Sequence, residues 1–414
     1  MARRRHPHPL EQNILLTATL CLLAFGAVMV FSASSARTLL SGQGDGTQFL
    51  VKYVGYGAVG FAVLLFVSRR GLDIVPRITT PLLGVAFLLL LLVKLPGIGV
   101  EVNGARRWLG FGPLQFQPSE IMKVALILYA AKLLAERKGI LRRWQNLMPL
   151  GMVAGGAAML IASQPDLGTA LVICFTMGAM LVAAGAPIRW LATVAGSGAF
   201  LVLVYAMSAG YRRERLMTFL DPWPHAADAG FQSVQGLIAL GSGGLTGRGI
   251  GESQQKNLFL PEAHTDFILA IVGEELGVLG ILAILFLYGL IAYAGLRVAR
   301  NARGTYAKLL AAGLTSLFLC QGLLNVFTVL GLAPLTGVPL PFISYGSTNL
   351  IVLLAAMGLL LNVAAGGHVQ LRAVPDVRGS RGDGRRSGTN GRDRGGRDGG
   401  ARRPGAGGRR RAAG

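Results

Sequence analysis

The sequence predicts an all-α, polytopic membrane protein with about ten transmembrane helices. Charged residues make up only 14% of the 414 and hydrophobic residues 52%, where soluble domains carry about a quarter charged. Apolar runs of roughly 20 residues, the length that spans a bilayer as a helix, recur along the chain. Lysine and arginine gather in alternate connections between those runs, the asymmetry that orients membrane proteins. Mean hydropathy is +0.53 and the pI about 10.9. The net charge of +21 is uneven: the stretch from Arg372 to Gly414 holds 13 Arg against four Asp. A basic tail and basic inner loops explain the pI, so no nucleic-acid partner is expected.

Taken in order, the runs predict helices over 13–32, 48–67, 77–97, 119–136, 147–163, 168–185, 187–209, 266–296, 306–331 and 345–365. The first follows Arg3-Arg4-Arg5, as a signal peptide would, but its apolar core from Ile14 to Phe31 exceeds the ~7–15 residues of a cleaved segment. It reads as a retained span after a short cytoplasmic N-terminus, residues 1–12. With that terminus inside, the inner segments collect fifteen Lys and Arg, whereas the short outer loops hold chiefly Arg37, Arg106 and Arg107. Ten spans return the C-terminus to the cytoplasm.

Two outer connections are long, 98–118 and 210–265. The second contains Trp223, Phe231 and Phe259, so it is expected to fold over the outer face. The tail over 367–414, rich in Arg and Gly, cannot bury a core and is expected to be disordered. Cys21, Cys174 and Cys320 lie inside apolar runs without C-x-x-C spacing, and the five His show no metal-ligand spacing.

Ionisable residues at membrane depth mark candidate sites. Ser119 is expected to cap the helix that begins near Pro118, with Glu120 and Lys123 one turn apart and able to pair. Arg107 beside Trp108 suits either a lipid-linked phosphate or an interfacial anchor. Asp166 is expected to cap the following helix. The Gly247-Arg248-Gly249-Ile250-Gly251 spacing resembles a dinucleotide loop, but no strand precedes it, which excludes that reading. Lys256 precedes Leu260-Pro261-Glu262-Ala263-His264-Thr265-Asp266. There Asp266 is either a helix cap or a general base at a low-dielectric boundary. The stretch from Pro339 to Asn349, holding Ser344, reads as a broken segment lining a cavity.

Six strings carry a resemblance: NGARRWLGFGPLQFQPSEIMK (103–123), QPDLGTA (164–170), RLMTFLDPW (215–223), GFQSVQGLIALGSGGLTGRGIGESQQK (230–256), LPEAHTDFILAIVGEELG (260–277) and PFISYG (341–346). Together they resemble the SEDS family (shape, elongation, division and sporulation) of bacterial wall synthases, most closely its division branch. The family usually has Gly-Gly-Ser-Ser after Ser-Tyr. Here Gly346 is followed by Ser347, Thr348 and Asn349.

The resemblance implies a domain over 13–366 that polymerises lipid II into glycan strands for septal wall synthesis. Asp266 matches the family's essential aspartate and would be the base. Arg107, Lys123 and Lys256 would neutralise phosphates, and Trp108, Glu120, Glu262, His264 and Ser344 would complete the substrate site. A divalent cation (Mg or Mn) is a possible aid; no organic cofactor is expected. Expected partners are lipid II, membrane lipid, a class B penicillin-binding transpeptidase and other division proteins. The expected location is the bacterial inner membrane. A lipid II flippase, an elongation-type polymerase and a scaffold are the alternatives.

Overall fold

The computed structural model describes residues 9–40, 46–102, 104–111, 114–137, 139–207, 217–228, 230–257, 259–367 and 369. The tail beyond them, Arg3 to Arg5 and residues 210–216 lie outside. Among the described residues, ten long helices correspond one to one with the predicted spans. They are α1 (Pro9–Leu40), α2 (Gln48–Arg69), α3 (Val75–Leu92), α4 (Pro118–Glu136), α5 (Met148–Ala162), α6 (Leu167–Ala183) and α7 (Ile188–Met207). After a shorter helix, α8 (Phe231–Gly243), come α9 (Ile268–Asn301), α10 (Thr305–Val329) and α11 (Ser347–Ala364). Seven of the ten are long and apolar enough to cross a membrane; of the others, α6 has 17 residues and α4 carries Glu120, Lys123, Lys132 and Glu136. Helices suit a bilayer because each satisfies its own backbone polar groups.

α4, α10 and α11 form the interior, with Leu126, Phe318 and Leu353 among their fully buried residues. α2 packs on α11, α1 on α9, α3 on α4, and α6 on α10. Small residues let helices approach: a Cβ at Gly60 of α2 would lie 2.6 Å from Leu354 Cδ1 of α11. Large apolar side chains such as Phe66, Leu279 and Phe286 are exposed around the periphery, the surface a lipid environment would cover.

Two local expectations are corrected and one of two open alternatives is excluded. The connection over 98–118 is a three-stranded antiparallel sheet, β1 (Gly99–Val102), β2 (Ala105–Phe111) and β3 (Leu114–Phe116), in sequence order. Ser119 does not cap α4: Gln117 occupies the N-cap, Pro118 opens the helix, and the Ser119 hydroxyl is buried without a partner. Nor does Asp266 cap α9, whose N-cap is Phe267. Asp166 does cap α6, accepting the Thr169 N–H at 3.1 Å.

α9 is also broken where one continuous span was expected. Gly277 adopts φ +66°, ψ −162° inside it. The loop 244–249 fits into this break. Val278 N–H donates to Gly244 O at 3.0 Å, and the N–H groups of Arg248 and Gly249 donate to the carbonyls of Glu274 and Glu275 at 3.0 Å. The glycine-rich string therefore serves close backbone packing: a Cβ at Gly247 would lie 2.1 Å from Glu275 O.

Candidate active site

Asp266 sits at the end of the turn from Leu260 to Phe267, just before α9, and is half-buried. Thr265 Oγ1 lies 3.0 Å from Glu262 Oε2 and 3.1 Å from Asp266 Oδ1. Its single proton therefore serves one carboxylate at a time. Burial, and secondarily the charge of Glu262, push the Asp266 carboxyl up to about 7, against the hydrogen bonds that favour its ionised form. That value suits a group that must take a proton near neutral pH.

His264, two residues earlier, is buried in an aromatic cluster. Its ring centroid lies 4.6 Å from that of Phe49 at the start of α2, and 5.7 Å from that of Tyr345. Its carbonyl accepts the Tyr345 N–H at 3.0 Å. The segment between α10 and α11 is irregular, as its prolines and small polar residues predict. Two phenols pin it: Tyr53 OH donates to Phe342 O at 2.5 Å, and Tyr288 OH to Pro341 O at 2.6 Å. Ser344 is buried here, its hydroxyl accepting the Leu340 N–H at 2.8 Å. Its oxygen shapes the turn.

The Glu120–Lys123 pair forms at 2.9 Å, with both side chains 2% exposed. Lys123 also donates to Gln321 Oε1 at 2.9 Å. Gln321 in turn donates to Pro339 O and Asn349 Oδ1, both at 3.0 Å. The three residues after Gly346 are thus in structural use. Asn349 accepts from Gln321, Thr348 Oγ1 accepts the Gln117 N–H at 3.1 Å, and Ser347 Oγ donates to Gln115 O at 3.3 Å.

The remaining cations differ in the donors they keep. Arg107 on β2 donates Nε to Gln164 O at 2.9 Å and one terminal nitrogen to Pro165 O. A guanidinium has five N–H groups, so three remain. Half-buried Trp108 follows it on the same strand. Lys256 is buried, with acceptors at Glu275 Oε1 (3.1 Å), Gly251 O (2.6 Å) and Ser32 Oγ (3.3 Å). Three acceptors use all three ammonium protons, so this arrangement leaves none for a phosphate. Beside it, Glu274 accepts from Ser253 Oγ at 2.5 Å and Gln254 N–H at 2.9 Å. Lys256 and the Glu274–Glu275 pair belong to the packing of the break in α9.

The structure thus joins Asp266, Glu262, His264 and, through Tyr345, Ser344. It ties Glu120 and Lys123 to them by way of Gln321. The apolar-run reading missed Gln321, Asn325, Ser32, Tyr53 and Tyr288. The signal for the first two was present: polar residues four apart in an apolar span. The Glu262–Asp266 pair falls short of a divalent-cation site: among the described residues no group of three or more His, Cys, Asp and Glu could hold a metal ion. An apolar cavity of about 540 Å³ lies between α2, α3, α4 and α11, lined by Phe66, Ile78, Leu82, Val124 and Ile351 among others. It has the size and lining of a site for an apolar ligand.

Comparison with known proteins sets this geometry in context. Residues 12–368 match the FtsW/RodA/SpoVE family, described as "Cell cycle protein". A probable peptidoglycan glycosyltransferase FtsW of Geobacter sulfurreducens (strain DL-1 / KN400) is 37% identical over 352 residues, covering 85% of this chain and 94% of that protein. Stage V sporulation protein E of Bacillus subtilis (strain 168) is 39% identical over 355 residues, 85% of this chain and 96% of that protein. Among solved structures, a chain from a peptidoglycan synthase complex that coordinates polymerization and crosslinking superposes with a TM-score of 0.71 at 30% identity, covering 84% of this chain and 96% of its own. The rod shape determining protein RodA of Thermus thermophilus gives 0.63 at 29% identity, with 86% and 97% covered.

Proposed function

The chain belongs to the FtsW/RodA/SpoVE family of multi-pass membrane proteins, and from that premise we propose that it is a peptidoglycan glycosyltransferase that polymerises lipid II, with Asp266 as general base. The observation that carries the assignment of the base is the Asp266 carboxyl itself: half-buried, beside Glu262, and raised to about 7.

In the proposed reaction the 4-hydroxyl of the acceptor sugar gives its proton to Asp266 as its oxygen bonds to the donor's anomeric carbon. The bond from that carbon to the undecaprenyl pyrophosphate breaks, and the pyrophosphate leaves with the electron pair. Arg107 keeps three N–H groups for such an anion, and its planar fork fits phosphate oxygens. Lys123 pairs with Glu120 and donates one hydrogen bond, to Gln321. The apolar cavity is sized to hold part of a prenyl chain, which would orient a reactant before bond formation.

We assign the reaction to septal synthesis with a class B penicillin-binding protein as partner, in the inner membrane. The test is glycan-strand formation on a gel from labelled lipid II, using purified full-length protein with its transpeptidase partner. Polymer from the wild type and none from Asp266→Asn supports the reading. Normal polymer from Asp266→Asn sinks the base assignment and favours a flippase or scaffold.

A further inference from the structure

The C-terminal half of α10 buries three polar residues, Gln321, Asn325 and Thr328, at i, i+4 and i+7. That spacing puts them on one face of the helix. Polar groups at membrane depth are costly and persist where they do something specific. Gln321 faces the Glu120–Lys123 pair, and Thr328 Oγ1 lies 3.1 Å from Thr336 Oγ1. Asn325, 1% exposed, lies between them. Its Nδ2 donates to Asp266 O at 2.7 Å and to Val338 O at 2.8 Å.

The geometry points to Asn325 as a positioning residue for Asp266: its carboxamide clamps the main chain at Asp266 to the 336–340 segment and so holds the carboxylate in place. This rests on the catalytic role proposed above for Asp266. Both carbonyls belong to irregular chain, outside any helix or strand, where main-chain groups need partners from side chains. Both Nδ2 protons are spent. Turning the carboxamide over would set Oδ1 against two carbonyl oxygens, so one orientation alone is stable. Oδ1 itself is buried without a partner, a cost this clamp tolerates. Val338 follows Gly337, whose φ is +64° and whose position faces the carboxylate: a Cβ there would lie 3.9 Å from Asp266 Oδ2. Fixing Val338 therefore fixes what stands against Asp266. Of the groups acting on that carboxylate, Glu262 is the charged one and Thr265 the side-chain donor.

The test is Asn325→Ala in full-length protein with its partner, with Asp266→Asn alongside. Rates are measured against lipid II concentration and against pH. A misplacement of about 1 Å costs about 10²-fold. Asn325→Ala should therefore lower kcat by roughly 10²-fold while apparent KM stays within about threefold. The acid limb of its pH profile should move to lower pH as the loosened carboxylate gains water. A general packing defect would lower the yield of folded protein and leave the pH profile of the remainder unchanged; that result overturns the clamp, as does wild-type kcat. If Asn325→Ala does not fold, Asn325→Asp keeps the volume but sets an acceptor against both carbonyls. Its pH profile should then be displaced, and a profile superimposable on wild type overturns the proposal. An active Asp266→Asn would instead remove the premise, whatever Asn325 does.

Discussion

At the residue scale, Asp266 and Lys256 show how burial decides what a charge can do. Asp266 is raised to about 7 chiefly by burial, so its basic form accumulates as pH rises through neutrality. Polymerisation should fall about tenfold for each pH unit below that value, as a pH series of initial rates would show. The stability effect has the opposite sign. A carboxyl that holds its proton more tightly folded than unfolded adds stability fully at pH below its ordinary value of 3.8, and loses it as pH rises to about 7. Asp266→Asn, which stays neutral, should therefore be inactive yet melt at higher temperature than wild type at pH 8. Asp266→Glu should also be poor, since one methylene moves the carboxylate by about 1 Å. Lys256 is the counter-case. Removing it leaves Glu275, 0% exposed, as an unpaired buried charge, a loss of about 3–5 kcal/mol. Lys256→Ala should lower the amount of folded protein in the membrane, and the double variant Lys256→Met with Glu275→Gln should restore it. Restored fold with activity still absent would return Lys256 to the substrate.

At the scale of elements, the break in α9 is where backbone conformation sets the requirement. Gly277 needs positive φ, and a Cβ there would lie 2.5 Å from Gly247 N and Leu245 O. Both neighbours are main chain and cannot swing aside. Gly277→Ala should cost at least about 2 kcal/mol, read as a lower melting temperature in detergent. Gly55→Ala on α2, where a Cβ meets nothing within 4 Å, should be neutral or slightly stabilising. Most of the ten spans were legible because the length of an apolar run identifies a bilayer helix. The α9 break was not: Gly277 continues the apolar period, and the loop that fits into it lies thirty residues upstream. The sheet over 99–116 was legible in principle, because Val100, Asn103-Gly104 and Trp108 have the hairpin pattern of a two-residue turn between strands. Reading only for apolar runs passed over it. Asp266 was singled out at the sequence level, but its reading as a cap fell only with the observed start of α9 at Ile268. Asn325 was missed because its partners are two carbonyls 59 and 13 positions away in sequence.

At the scale of the whole molecule, the site must lie on a definite side of the membrane, and the contacts fix which end of the helix bundle it occupies. The ring of Phe49, at the start of α2, touches that of His264, so Asp266 is at that end. α2 has 22 residues and at 1.5 Å per residue spans about 33 Å. Arg69, Arg70 and Arg77 therefore lie at the opposite end. Arg297, near the end of α9, pairs with Glu11 at the start of α1 at 2.9 Å, placing the first helix's start there as well, with Arg300 and Arg303 close by in sequence. Among the described residues the connections at that end hold more Lys and Arg than those at the Asp266 end, so the positive-inside bias predicts Asp266 outside and the start of α1 in the cytoplasm. Lipid II headgroups would then be joined on the face where wall is built. The test replaces Cys21, Cys174 and Cys320 and introduces single cysteines by Ala227→Cys and Arg300→Cys. A membrane-impermeant maleimide added to intact cells stripped of their outer envelope should label the Ala227→Cys protein and spare Arg300→Cys until the membrane is opened. The reverse pattern would place Asp266 in the cytoplasm. A polymerase so oriented would build its strand on the wrong side of the membrane, and the flippase reading would then have to replace it.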